Sequence, residues 1–244
     1  IFFLSFFSFS VLFAQNFEGT ITVKNTIPNT VNATFTLKNK MAMVDARRHN
    51  GDIRLISNNE TGEKISISEH NGEKIAVVKN ANDMQYRNLN QVYKKSKNRV
   101  NAVEVKILRE TKEINGYKCY KVIASDRNYH GEAWITKKLE VKPYDLFPIL
   151  KAQHRAMPRV AKALENSMDG FVMEMTLKNI KTKKVDKMKV IVNKKEIADD
   201  VFVVDTQKVK VYSEEEVREL MKAAKGNPEE MKKARNILTQ VRLQ

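Results

Sequence analysis

The chain has 244 residues, with 44 Lys and Arg against 29 Asp and Glu, for a formal net charge of +15. That length suits one domain, or one domain with an appendage, and is enough to bury a core. Cys119 is the only cysteine, which excludes an intramolecular disulfide, and the positive excess points to anionic surfaces as partners.

Residues 1–13 are apolar apart from serines, and Ala14-Gln15 follows. This is the pattern of a secretory signal, an apolar core ending at a small residue. It is too short for a membrane span, which takes about 20 apolar residues. Cleavage is expected near Ala14, leaving a periplasmic or secreted protein. With no initiating Met and no basic start, the signal reads as truncated. No Cys stands at the cut, so a lipid-anchored form is disfavoured.

From Phe17 onward the chain alternates. Residues 17–24 set Ile21 and Val23 against Thr20 and Thr22, and 31–38 set Ala33, Phe35 and Leu37 against Asn32, Thr34 and Thr36. Residues 64–69 set Ile65 and Ile67 against Ser66 and Ser68. Period two means half-buried strands. Strands at 41–47, 53–56 and 74–79 complete an antiparallel meander with one polar face, turning at Asn50-Gly51, Thr61-Gly62 and Asn71-Gly72. Residues 80–98 are polar, basic and loop-like. Val103, Val105 and Ile107 are then expected on one face of the next strand. The most distinctive stretch is 111–136, TKEINGYKCYKVIASDRNYHGEAWIT. It reads as a strand, a tight turn at Asn115-Gly116, a second strand, a loop and a third strand. Asn-Gly suits a type I′ turn because both of its central residues need φ > 0.

The period then changes. Residues 142–169 place Leu146, Ile149, Leu150, Met157, Val160, Ala161, Leu164 and Met168 at helical spacing. Asp145 is a candidate N-cap. Pro158 is expected to end one helix near Ala156 and to start a second. Strands return with Phe171, Met173, Met175 and Leu177 alternating against Glu174 and Thr176, then 185–192, then a short last strand at 200–204. The tail reads as a helical hairpin. Ser213-x-x-Glu216 is a capping box, with Val217, Leu220, Met221 and Ala224 behind it. Gly226-Asn227-Pro228 stops that helix and starts another, lined by Met231, Ala234, Leu238 and Val241. Such a hairpin docks on the main domain or on a partner.

Catalytic signatures are missing. His49, His70, His130 and His154 stand singly, with no H-E-x-x-H motif and no paired cysteines, so no metal site or cofactor is expected. There is no G-x-S-x-G and no Gly-rich phosphate loop. Cys119 and His130 fall on adjacent predicted elements, but no third group is placed to orient them as nucleophile and base. The reading is of a protein that is not an enzyme. Residues 177–195 hold eight lysines against Asp186 alone, and Lys181, Lys183, Lys184 and Lys187 are candidates for an anionic-surface contact. A secretory signal and the lack of Arg/aromatic interleaving argue against nucleic acid. Met157, Met168, Met173 and Met175 fall on the late helix and the strand after it. Methionine packs ordinary cores but also lines promiscuous apolar surfaces.

FEGTI at 17–21, TKEINGYKC at 111–119, AWIT at 133–136 and the stretch 200–204 resemble a secreted domain family of unknown function common in Bacteroidetes. That family is related to the periplasmic lipoprotein-carrier (LolA/LolB-like) superfamily. The resemblance runs from Phe17 to Val204. Asp205-Thr206-Gln207 stands where a Pro-x-Gly-Tyr-like run usually closes the family. In the carriers an early-strand Arg-Pro handles ligand; here Arg47-Arg48 is followed by His49, and that role is not carried over. The resemblance implies an α+β fold, a curved antiparallel sheet (half-barrel) covering inserted helices, plus the C-terminal helical hairpin. The boundaries are then 1–14 signal peptide, 15–207 half-barrel domain and 208–244 hairpin. It also implies an apolar cavity for a lipid or lipidated ligand, with Phe35, Leu37, Leu146, Leu150, Met157, Leu164, Phe171, Met173 and Met175 as candidate lining. The alternative is an envelope interaction protein with a filled core, working through its basic face or its tail.

Overall fold

Twelve strands form one sheet in the order β12-β6-β5-β4-β3-β2-β1-β11-β10-β9-β8-β7. The computed structural model describes residues 17–27, 32–48, 51–70, 73–79, 103–139, 157–168 and 170–232, with 234 and 237. Outside them lie the expected signal segment, the turn residues Asn50 and Asn71-Gly72, the loop 80–98, the Asp145 cap, the helix bearing Leu146, Ile149 and Leu150, and Leu238 and Val241.

The first six strands are β1 (Gly19–Asn25), β2 (Asn32–Lys38), β3 (Met41–Arg48), β4 (Gly51–Asn58), β5 (Lys64–His70) and β6 (Glu73–Lys79). They pair as an antiparallel meander, as the period-two pattern requires. A second meander follows: β7 (Glu104–Ile114), β8 (Tyr117–Ser125), β9 (Tyr129–Thr136), β10 (Phe171–Asn179) and β11 (Val185–Lys194). β11 then pairs antiparallel with β1, joining the two halves. Between β9 and β10 the chain forms α1 (Arg159–Asn166), with Pro158 at its N-cap. The proline thus stands one residue before the helix, where its missing N–H costs nothing.

In register, Ile21, Phe35, Val44, Leu55, Ser66 and Val77 form one row across β1 to β6. This is the core face. Its main apolar cluster runs from β4 through β1 and β11 to β8 and takes in Val160, Ala161 and Leu164 of α1. α1 packs on β8, β9 and β10. It sits directly over Gly131, where a Cβ would come within 2.7 Å of Leu177, 2.8 Å of Val160 and 2.9 Å of Leu164.

The Asn115-Gly116 turn is present as expected, with φ of 50° and 77°. It does more than join β7 to β8. The hairpin tip reaches β11: Asn115 Nδ2 donates to the Val190 carbonyl (3.0 Å), and Lys194 Nζ stands 5.7 Å from the Tyr117 ring centroid. β8 and β11 are three strands apart in the sheet, about 14 Å if it were flat. The tip therefore bends across the ends of β9 and β10. A curved half-barrel fits this open sheet.

Four expectations are corrected. The 200–204 strand is a 3-10 helix, Asp199–Phe202, because two short acidic side chains favour a turn and only Phe202 points inward. The closing strand is instead β12 (Lys210–Ser213), parallel to β6. On β5 the faces are inverted. Ser66 lies buried on the core face, while Ile65 and Ile67 pack on the opposite face with the cluster of Met43, Ile56, Ile197 and Phe202. Val105 and Ile107 are 39% and 57% exposed, because β7 is an edge strand whose register with β8 shifts between Ile107 and Thr111. In the tail, Leu220 is exposed and Ile237 is buried in its stead.

The rest of the tail follows its sequence signals. Helix α2 (Glu214–Ala223) starts at a complete capping box, Ser213 with Glu216. Asn227 caps the next helical turn through Glu229 and Glu230 N–H. Val217 and Ile237 cover Ile75 and Val77 on β6, so the tail docks on the sheet itself.

Nothing lies within 4 Å of a Cβ placed on Gly116, so its φ of 77° alone constrains the residue. Gly116→Val is expected to lower the stability by about 1–3 kcal/mol through backbone strain, read as a lower denaturation midpoint at an unchanged slope.

Candidate functional site

The candidate residues fall in two regions, the apolar core face and a groove on the opposite face. On the core face, Phe35, Leu37, Met157, Leu164, Phe171, Met173 and Met175 are all buried and belong to one cluster. The structure thus brings together seven of the nine apolar candidates, from β2, β10, α1 and the residue before its Pro158 cap. Leu146 and Leu150 lie outside the described residues. Sequence reasoning missed Met188 of β11, which is buried in the same cluster. Its alternation with Val190 and Val192 was the available signal.

The core face carries polar groups as well. Ser66 Oγ and Tyr117 Oη are buried with no hydrogen-bond partner. At its rim, Lys64 faces Lys79 across β5 and β6. Burial, and then the like charge of Lys79, push the Lys64 amine below its usual range. Cys119 is fully buried; its thiol donates to the Tyr117 carbonyl (3.3 Å), and burial pushes its pKa up to about 11. His130 is six ladder positions away, opposite Ser125, roughly 20 Å along β8. The two do not form a nucleophile and base.

The groove has a volume of about 1210 Å³ and lies on the other face. Its floor is the outward row of β1 to β5, including Thr22, Thr34, Asp45, Arg54 and Ile67, with Lys187 and Lys189 of β11 beside it. Val203, Val204, Asp205, Lys208 and Val209 form a wall. None of the nine apolar candidates lines it, and of the four candidate lysines only Lys187 does. Lys181, Lys183 and Lys184 are exposed on the β10–β11 turn, where Lys184 pairs with Asp186 (2.9 Å).

Of the four acids lining the groove, three are paired with a base. Arg54 forks onto Asp45 at 2.7 and 3.3 Å. Arg47 lies 3.5 Å from Asp52. Lys208 holds Asp205 at 2.8 Å and draws its carboxyl below the usual range. Glu69 faces Lys74 in register. Among the described residues, Lys24, Lys187 and Lys189 have no ion-pair partner. Lys24 and Lys189 were not singled out by the sequence, because only the β1–β11 register places them opposite each other. Among the described residues, no group of three His, Cys, Asp or Glu could hold a metal ion.

Residues 17–207 match a family described as Domain of unknown function (DUF4412). The chain belongs to that family. No curated protein matches it. Among solved structures it is similar to PNGF-II in a C2 crystal form, at 16% identity and a TM-score of 0.36, over 80% of this chain and 31% of that one. The DUF4412 chain therefore spans about a third of PNGF-II's length. It is also similar to LprF from Mycobacterium bovis, at 13% identity and a TM-score of 0.29, over 75% of this chain and 89% of that one. A third is a putative outer membrane lipoprotein-sorting protein domain from Vibrio parahaemolyticus, at 12% identity and a TM-score of 0.18, covering 76% and 89%.

Gly131 is the seat of α1. A methyl there gains backbone entropy of about 0.5–1 kcal/mol, but it drives into three side chains packed at once, which costs about 1–3 kcal/mol. Gly131→Ala is expected to be net destabilising, by roughly 1 kcal/mol or more, and to raise hydrogen exchange in α1 before it does so in β1 to β4.

Proposed function

We propose that the protein is a non-enzymatic binding protein of the cell envelope that carries an apolar ligand, a lipid or lipidated chain, against the core face of its sheet. The observation that supports this most is the gathering of Met157, Met173, Met175 and Met188 in one cluster beside α1. Methionines there let the face adapt its shape, and α1 is a short cover packed on β8, β9 and β10 with its close approach at Gly131. Its ligand-binding unit is 15–207, with 208–244 bracing the sheet at β6. Met175→Trp separates this reading from plain core packing. If the cluster adjoins open space, the indole fills it: the denaturation midpoint holds and affinity for a fluorescent fatty-acid probe falls tenfold or more. If side chains fill the space, the larger ring overpacks and lowers stability by about 1–3 kcal/mol. A wild type that binds no apolar probe ends the carrier reading.

The envelope location rests on the apolar run of residues 1–13 before Ala14-Gln15. N-terminal sequencing of exported protein is expected to begin at or near Gln15, and retention of residues 1–14 would refute export by cleavage.

The groove favours a second reading, an interaction protein acting through its basic face. The two readings use opposite faces of the sheet.

A further inference from the structure

We propose that the groove on the outward face binds a saccharide carrying two or more phosphate or sulfate groups. It does not depend on the apolar-ligand reading, which concerns the other face. Of the acids lining the groove, Asp45, Asp52 and Asp205 are in ion pairs and Glu69 faces Lys74 in register, whereas Lys24, Lys187 and Lys189 stand without a partner among the described residues. The nearest carboxylate in register with Lys189 is Glu174, and it is taken by Lys112 at 2.5 Å. Lys24 and Lys189 are direct cross-strand partners. Like charges so placed repel, and a sheet under no other demand does better with an opposite or neutral pair.

Spacing sets the ligand class. Lys187 and Lys189 project from the same face of β11, two residues or roughly 7 Å apart, with Lys24 roughly 5 Å across from Lys189. One small anion answers one or two of these amines. Two anionic groups borne on successive positions of a sugar answer all three. The remaining lining suits hydroxyls. Thr22 and Thr34 share a hydrogen bond at 3.2 Å, leaving further donor and acceptor capacity on each. Asn32 uses its Oδ1 on the Asn25 N–H (2.6 Å), which leaves its amide NH₂ for a ligand. Val203 and Val204 on the wall offer apolar contact to a ring face. A volume of about 1210 Å³ far exceeds one phosphate or sulfate and accommodates a short oligosaccharide. Lysines, as point charges on flexible stems, suit anions of varied position better than bidentate recognition of one fixed group.

The test uses calorimetric titration of the full chain with a sulfated tetrasaccharide, with the uncharged tetrasaccharide, with inorganic sulfate, and with vesicles containing anionic phospholipid. Binding of the sulfated sugar is expected, with affinity falling steeply as salt rises. Neither inorganic sulfate nor the uncharged sugar should match it. Lys24→Glu is expected to cut the affinity at least tenfold. Its denaturation midpoint should be unchanged or raised, because the new carboxylate faces Lys189. The double variant Lys181→Glu, Lys183→Glu, on the exposed turn outside the groove, should lower affinity less than threefold. The proposal is overturned if no sulfated sugar binds at low salt, if plain sulfate binds as tightly, or if only the vesicles bind. It is equally overturned if the turn variant weakens binding as much as Lys24→Glu, which would make the effect one of general charge.

Discussion

The ladder between β1 and β11 holds the molecule together. Seven residue pairs, from Gly19 opposite Lys194 to Asn25 opposite Met188, join a meander built from the first eighty residues to one built after residue 103. Without it the chain would be two smaller sheets, each with an additional unpaired edge. Its inward pairs, Ile21 with Val192 and Val23 with Val190, lie in the main cluster, with Val192 only partly buried. Burial of an aliphatic side chain contributes about 1.5–3 kcal/mol, so this one ladder supplies a sizeable part of the stability of a single domain. The hairpin tip at Asn115 depends on it too, since its long-range hydrogen bond ends on Val190 of the same strand. The curl at that end of the sheet is thus referred back to β11.

Much of the fold was legible because it is written locally. The Asn115-Gly116 turn, the Ser213–Glu216 box and the Asn227-Pro228 restart each depend on residues within four positions of one another, and each stands as expected. Alternation located the strands of the first meander for the same reason. It did not say which face is inside. On β5 the isoleucines face Ile197 and Phe202, more than 120 residues later, while Ser66 points to the core. A period of two is the same whichever side is buried, and the second layer on the outer face changes the sign of the inference. Val105 and Ile107 failed differently: their alternation is real, but an edge strand has too little beside it to bury them. The 3-10 helix at Asp199 stands where Asp199 and Asp200 favour a turn and only Phe202 is buried, leaving Val201 and Val203 exposed.

The sites divide along the same line. The apolar candidates come from strong local patterns, and the seven described ones do converge, because strand and helix periods each select one face. The groove was hardly visible in the sequence. Its cluster of lysines depends on register between strands 165 residues apart, and composition marks only Lys187 within a long basic stretch. The eight lysines of residues 177–195 are not one surface. Lys184 is spent on Asp186 and Lys181 stands on a turn, whereas Lys187 and Lys189 border the groove.

The placing of Lys24 opposite Lys189 can be weighed against the ladder that contains it. A like-charge cross-strand pair costs on the order of 0.2–1 kcal/mol, well below what the inward residues of the same ladder contribute. The sheet therefore tolerates the pair without loss of register, since a one-residue slip would turn Ile21 and Val23 outward at far greater cost. Salt does not remove the repulsion. The Debye length is about 8 Å at physiological ionic strength, longer than the spacing between these strands. The apolar side of β1 and β11 thus holds the two lysine backbones at strand spacing, so two amines on flexible stems share one place in the groove, and an anion bound between them relieves their repulsion.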